Sequence, residues 1–168
     1  MYRQFLCCKH RSLLSQNPDA AQATWSKGIN QGKAHYDEKD LDIAIVCFGG
    51  AFEAASILLK HTNYNAADKL YKVTMAAMFL ARSLHADQQA EFSRTVLEKA
   101  ADLISPFSSP LNHKSGQGSE FSTLHALDCM QLIESCSVNL FGGKSLRPSN
   151  FETMQTTTFS SGDRSLLH

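Results

Sequence analysis

Apolar residues crowd one stretch of the chain. Ile43 to Leu59 reads IAIVCFGGAFEAASILL, in which only Glu53 and Ser56 carry polar side chains. A membrane span needs about 20 apolar residues and pays a few kcal/mol for an acid at bilayer depth. This run is shorter, and Glu53 interrupts it. A strand hairpin would need a turn at Gly49-Gly50, yet AFEAASILLK continues with helix formers and neither flank alternates. A helix that is apolar on nearly all sides is instead a central, buried one. Its two glycines each cost about 1 kcal/mol relative to alanine. Close approach of another backbone at Gly49-Gly50 would offset that cost.

Helical signals continue on both sides. Asn17-Pro18-Asp19 supplies an N-cap, a proline at the first helical position and an acid in the first turn, which predicts a helix from Pro18 to His35 or Tyr36. Asp37-Glu38-Lys39-Asp40 breaks that pattern, and Asp40 caps the apolar helix, which runs to about Lys60 or His61. After HTNYN, Asn65 caps a third helix that reaches about His85, and Asp87 caps a fourth that ends near Ser105. Residues 105–119, with two prolines, two glycines and five serines, read as a linker. A fifth helix follows from Glu120 to about Phe141 and is stopped by Gly142-Gly143. Ala126, Cys129, Met130, Ile133, Cys136 and Leu140 recur along it at helical spacing. The expected organisation is a flexible segment 1–16, an all-α domain over 17–141 and a disordered Ser/Thr-rich tail over 142–168.

The first helical pair, GINQGKAHYDEKDLDIAIVCFGGAFEAAS, resembles a tetratricopeptide repeat, a helix–turn–helix unit of about 34 residues. Gly32, Ala44 and Ala51 stand at the family's small positions and Phe48 at its aromatic position. Lys39-Asp40-Leu41 resembles the turn between the helices. Gly28, Gln31, His35 and Ser56 depart from the family pattern. In the second pair, Ala77, Leu80, Ala81 and Leu84 fall at the spacing of a first helix, and Leu97 and Ala100 at that of a second. Ala100 lies 49 residues after Ala51, so the second pair is expected to be longer and divergent. The resemblance implies antiparallel helical hairpins, wound as a right-handed superhelix or packed as a small bundle, with the fifth helix as a cap. It also implies a groove lined by the first helices, at Ile29, Lys33, Tyr36, Met75, Met78, Arg82 and His85. There a peptide or helix of another protein would dock against adaptable methionines, with Lys33 and Arg82 holding an acidic group. The family's chaperone-binding members clamp a carboxylate with Lys, Asn and Arg. Ile29 and Lys33 stand where Lys and Asn are needed, which argues against that specialised role.

Composition narrows the reading further. At 168 residues the chain fits one domain, and its 16 basic residues equal its 16 acidic ones. A neutral chain has no electrostatic footprint for nucleic acid, and it has little charge repulsion to oppose self-association. Five cysteines, an odd number, with too short an apolar patch at Phe5–Cys8 for a leader, predict reduced thiols and a cytoplasmic location. His125, Cys129 and Cys136 share a stripe, but His125 and Cys136 stand about 16 Å apart along a helix, too far to share one zinc ion. No phosphate loop, HExxH or GxSxG is present. The reading is a non-enzymatic adaptor or small co-chaperone without a metal or cofactor. Two alternatives remain: a helical-bundle enzyme or metal protein using His and Cys, and a homo-oligomeric assembly module.

Overall fold

A computed structural model describes residues 4–61, 65–108 and 119–142. Among them the chain is all-α. Its helices are α1 (Cys8–Gln16), α2 (Pro18–Asp37), α3 (Leu41–Leu58), α4 (Ala66–Ala86), α5 (Ala90–Ile104) and α6 (Ser119–Phe141), with a 3-10 turn at Ser105–Phe107 after α5. Much of the expected linker, residues 109–118, and the expected tail from 143 onward lie outside the described residues.

Local chemistry explains most helix ends. The Asn17 side chain accepts a hydrogen bond from the Ala20 N–H at 3.0 Å, and Pro18 follows it. Asn65 caps α4 through the Ala67 N–H at 2.9 Å, and Asp40 caps α3 through the Ile43 N–H at 3.5 Å. Gly142, in the left-handed conformation at φ 67°, ends α6. The start of α5 differs from expectation. Gln89, not Asp87, is its N-cap residue, and the Asp87 carboxylate instead accepts from the Gln89 side-chain amide.

α2 and α3 form an antiparallel hairpin. A Cβ on Gly28 would stand 2.7 Å from the Cys47 carbonyl oxygen and 3.0 Å from the Ala51 Cβ, whereas one on Gly32 would stand 2.5 Å from the Phe48 ring. Moving forward along α2 therefore means moving backward along α3. The expected backbone approach occurs, but at Gly28 rather than at Gly49-Gly50. α4 and α5 pair in the same sense: the Gln89 N–H reaches the Leu84 carbonyl at 2.8 Å, and the Ser93 hydroxyl donates to the Ala81 carbonyl at 2.7 Å.

The turns of the two helical pairs match at an offset of 49 residues. Lys39 and Gln88 hold the same left-handed turn position at φ 64° and 60°. Beside them, Asp40 N–H bonds the His35 carbonyl as Gln89 N–H bonds that of Leu84, both at 2.8 Å. The offset also pairs Phe48 with Leu97, Ala51 with Ala100 and Ala55 with Ile104, all buried. The two helical pairs thus share one turn geometry.

The main core runs through α2 to α6, with Phe48, Phe52, Leu80, Leu97, Ile104 and Ile133 fully enclosed. Each such side chain contributes about 1.5–3 kcal/mol by leaving water. By length and composition α3 is also apolar enough to cross a membrane, and 56% of that span is buried inside the protein.

Part of the segment expected to be flexible, residues 4–16, is described. Residues 8–16 are helical, and Leu14 is buried with Ala21, Ala54 and Leu58 in a second, smaller cluster. The Phe5 ring occupies the space where a Cβ on Gly49 would stand. The Phe5 and Leu6 N–H groups donate to the buried Glu53 carboxylate at 2.9 and 3.2 Å. The glycine in the apolar helix thus makes room for a ring, and the acid there binds backbone.

Candidate functional site

The start of the site is an aromatic pair. Phe48 of α3 and Phe79 of α4 stack with centroids 5.2 Å apart and planes 12° from parallel. Phe48 reaches this position because Gly32 leaves it room beside α2. The Lys33 ammonium stands 4.9 Å from the centre of the Phe79 ring, a cation–π distance. Around this pair lies a cavity of about 270 Å³, lined by Lys33, Tyr36 and Asp37 of α2, Phe48 of α3, and Phe79 and Arg82 of α4.

Lys33 and Arg82 each stand six residues before the left-handed turn residue of their own helical pair, and both line the one hollow. Asp37 is the one acid on its wall. Within the described residues, no ion pair involves Lys33, Asp37 or Arg82. Arg82 also lies against the Cys136 thiol of α6. Burial pushes that thiol's pKa up, and the neighbouring guanidinium pulls it back part of the way. The cavity therefore combines an apolar aromatic wall with a net positive rim. Such a surface can take an acidic side chain beside an apolar one.

Of the seven groove positions expected from the sequence, Lys33, Tyr36 and Arg82 converge here. Met75 and Met78 are half-buried, and Met78 packs on the main core. Ile29 is buried at 5% exposure, so it belongs to the core and not to a groove wall. His85 lies at the α4–α6 junction. Its ring meets Phe141 edge-on, with centroids 5.4 Å apart, and Arg94 caps the same phenyl ring at 4.8 Å. The His85 Nδ1 atom is buried there without a hydrogen-bond partner.

Sequence reasoning missed Asp37 and Phe79 as lining residues. Their signal was spacing. Met75, Phe79 and Arg82 form one stripe along α4, and Asp37 lies one helical turn after Lys33. Phe48 was expected only as filler within its hairpin, yet it also forms the cavity wall.

Among the described residues, no group of three His, Cys, Asp or Glu side chains is placed to hold a metal ion. Cys129 lies against the Thr74 hydroxyl, and burial raises its thiol pKa. Comparison with family models, with curated proteins and with solved structures finds no match to this chain.

Proposed function

We propose that the chain is a protein-binding adaptor, with a peptide or helix of a partner docking between α2 and α4. The observation that carries this reading is the hollow in which Lys33 and Arg82 flank the stacked Phe48–Phe79 pair. An apolar partner residue would cover the exposed part of the Phe79 ring, and an acidic neighbour would meet the two cations. The matched turns of the two helical pairs support a repeat architecture of the tetratricopeptide kind, extended as a superhelix, although at an offset of 49 residues rather than about 34. A small co-chaperone is one form of the same reading. On this account the protein is cytoplasmic, non-enzymatic and free of cofactors. Its balanced charge supports a protein partner over nucleic acid, and the packing around α3 supports a core helix over a membrane span.

Affinity capture with the intact chain tests the proposal, using wild-type and a Lys33→Glu/Arg82→Glu variant as baits. Both side chains are exposed, so the fold should persist, which circular dichroism would check. The expected result is loss of specific partners from the variant. Recovery of the same proteins by both baits would remove the groove from consideration.

A second reading, self-assembly, is favoured by one observation. α6 leaves Leu124, Leu127, Leu132 and Val138 between 41% and 61% exposed. These residues fall on one broad side of the helix, where a second copy of the chain would cover them. Sedimentation against concentration separates the readings: a monomer at every concentration eliminates assembly.

A further inference from the structure

A second cavity, of about 340 Å³, lies where α1, the end of α3 and α5 meet, away from the proposed groove residues. Its lining includes Gln4, Arg11, Glu53, Ser56, Lys60 and Lys99. Three cations thus arrive from three separate elements: Arg11 from α1, Lys60 from the turn after α3, and Lys99 from α5. Glu53 is the one acid on the wall. Its oxygens already accept the Phe5 and Leu6 N–H groups at 2.9 and 3.2 Å and stand 3.8 Å from the Arg11 Nε. The lining carries a surplus of two positive charges.

Like charges brought together around a half-enclosed space repel one another, and withdrawal from water adds to the cost. Lys99 registers both effects. Burial is the largest influence depressing its pKa, Arg11 and Lys60 depress it further, and Glu53 works in the opposite direction. An anion among the three cations would offset this repulsion.

We propose that this cavity binds a phosphate group between Arg11, Lys60 and Lys99, carried either by a small free anion or by a phosphorylated side chain. The charge fits: a phosphate monoester brings about −1.5 to −2 at neutral pH. The size fits as well, because water takes about 30 Å³ per molecule in the liquid and the hollow has space for a ligand of several non-hydrogen atoms. Arginine is suited to two phosphate oxygens at once, and lysine serves as a compact point charge. A bound phosphate would tie α1 to α5. The site thereby couples anion binding to the docking of the first helix.

The test is calorimetric titration of the full chain with two probes, inorganic phosphate and a phosphoserine peptide, with chloride added to hold ionic strength constant. Saturable one-to-one binding of at least one probe is expected, at least tenfold weaker in Lys60→Ala and in Lys99→Gln. Lys60 is exposed, so its substitution leaves the core intact and keeps the test valid if Lys99→Gln unfolds. Binding of inorganic phosphate assigns the site to a free anion, and binding of the peptide alone assigns it to a phosphorylated partner. The proposal is overturned if neither probe binds saturably, or if Lys60→Ala binds both as tightly as wild-type.

Discussion

At Gly32 an added Cβ would press on the Phe48 ring, which is fully buried and stacked on Phe79. At Gly50 the nearest atom to such a Cβ is the Leu6 Cδ2 at 3.7 Å, an ordinary contact. Both glycines weaken their helices by about 1 kcal/mol relative to alanine. Overpacking costs about 1–3 kcal/mol where neighbours cannot give way. Gly50→Ala should therefore stabilise the protein by about 0.5–1 kcal/mol, whereas Gly32→Ala should lose about 1–2 kcal/mol. Urea titration of the two variants reads the difference, and equal shifts would show that Phe48 yields freely. Thiols differ by environment in the same way. Cys7 and Cys8 are exposed, while burial raises the pKa of Cys129 and Cys136 above the ordinary 9.0. A thiol reagent at pH 8 should label Cys7 and Cys8 at once and reach the buried pair only as the chain unfolds. The sign for stability follows from proton linkage. Below pH 9.0 these buried thiols retain their full contribution. As pH climbs from there through their folded values it is lost, because the unfolded chain sheds the protons first. The role of Gly32 was legible in the sequence because its partner, Phe48, lies within the same hairpin. That of Gly49 was not: the ring that fills its space belongs to Phe5, and nothing local to either residue announces the contact.

Among elements, the turns between paired helices are the most informative. Lys39 and Gln88 both adopt a left-handed conformation that costs an L-residue about 1–2 kcal/mol. Each turn tolerates that cost because its backbone closes one helix and opens the next, with Asp40 and Gln89 serving as the following N-caps. Lys39→Gly removes the clash but frees the unfolded chain, so the expected net gain is about 0.5–1 kcal/mol. Thermal unfolding would register it as a raised midpoint, and a lowered one would mean that the Lys39 side chain supports the turn by some other contact. Caps formed by Asn17, Asp40 and Asn65 could be read directly, since each concerns a side chain and backbone two or three residues away. The match between the two turns was harder to see. Its equivalent positions exchange Phe48 for Leu97, Tyr36 for His85 and Lys33 for Arg82, which preserves bulk or charge but not identity. At a spacing of 49 residues the likeness of the two turns shows only in their shared hydrogen bonds. The docked first helix left only an indirect sign, a carboxylate inside an apolar helix, whose partners are backbone N–H groups that no residue type encodes.

For the molecule as a whole, the question is whether the two hairpins unfold as one body. α3 and α4 belong to different hairpins, yet Phe48 and Phe79 stack across that boundary and both contribute to the main core. The single tryptophan, Trp25, spans the same divide. Its indole N–H donates to the Lys72 carbonyl of α4 at 3.2 Å, and the Lys72 ammonium lies 5.1 Å from its ring centre. Trp25 also packs against both apolar clusters, so its fluorescence reports the junction of α2 with α4 together with the docking of the first helix. If the shared core dominates, no hairpin survives separation from the other, because each would expose the apolar face that its neighbour covers. The tryptophan signal and the far-ultraviolet helical signal should then follow one superimposable urea transition. A tryptophan change that precedes loss of helix would place the weak boundary between the hairpins. The cavity holding Lys33 and Arg82 crosses that boundary, so a ligand bound there would close it. The two transitions would then merge as ligand is added, with a shift that grows logarithmically with ligand concentration above the dissociation constant.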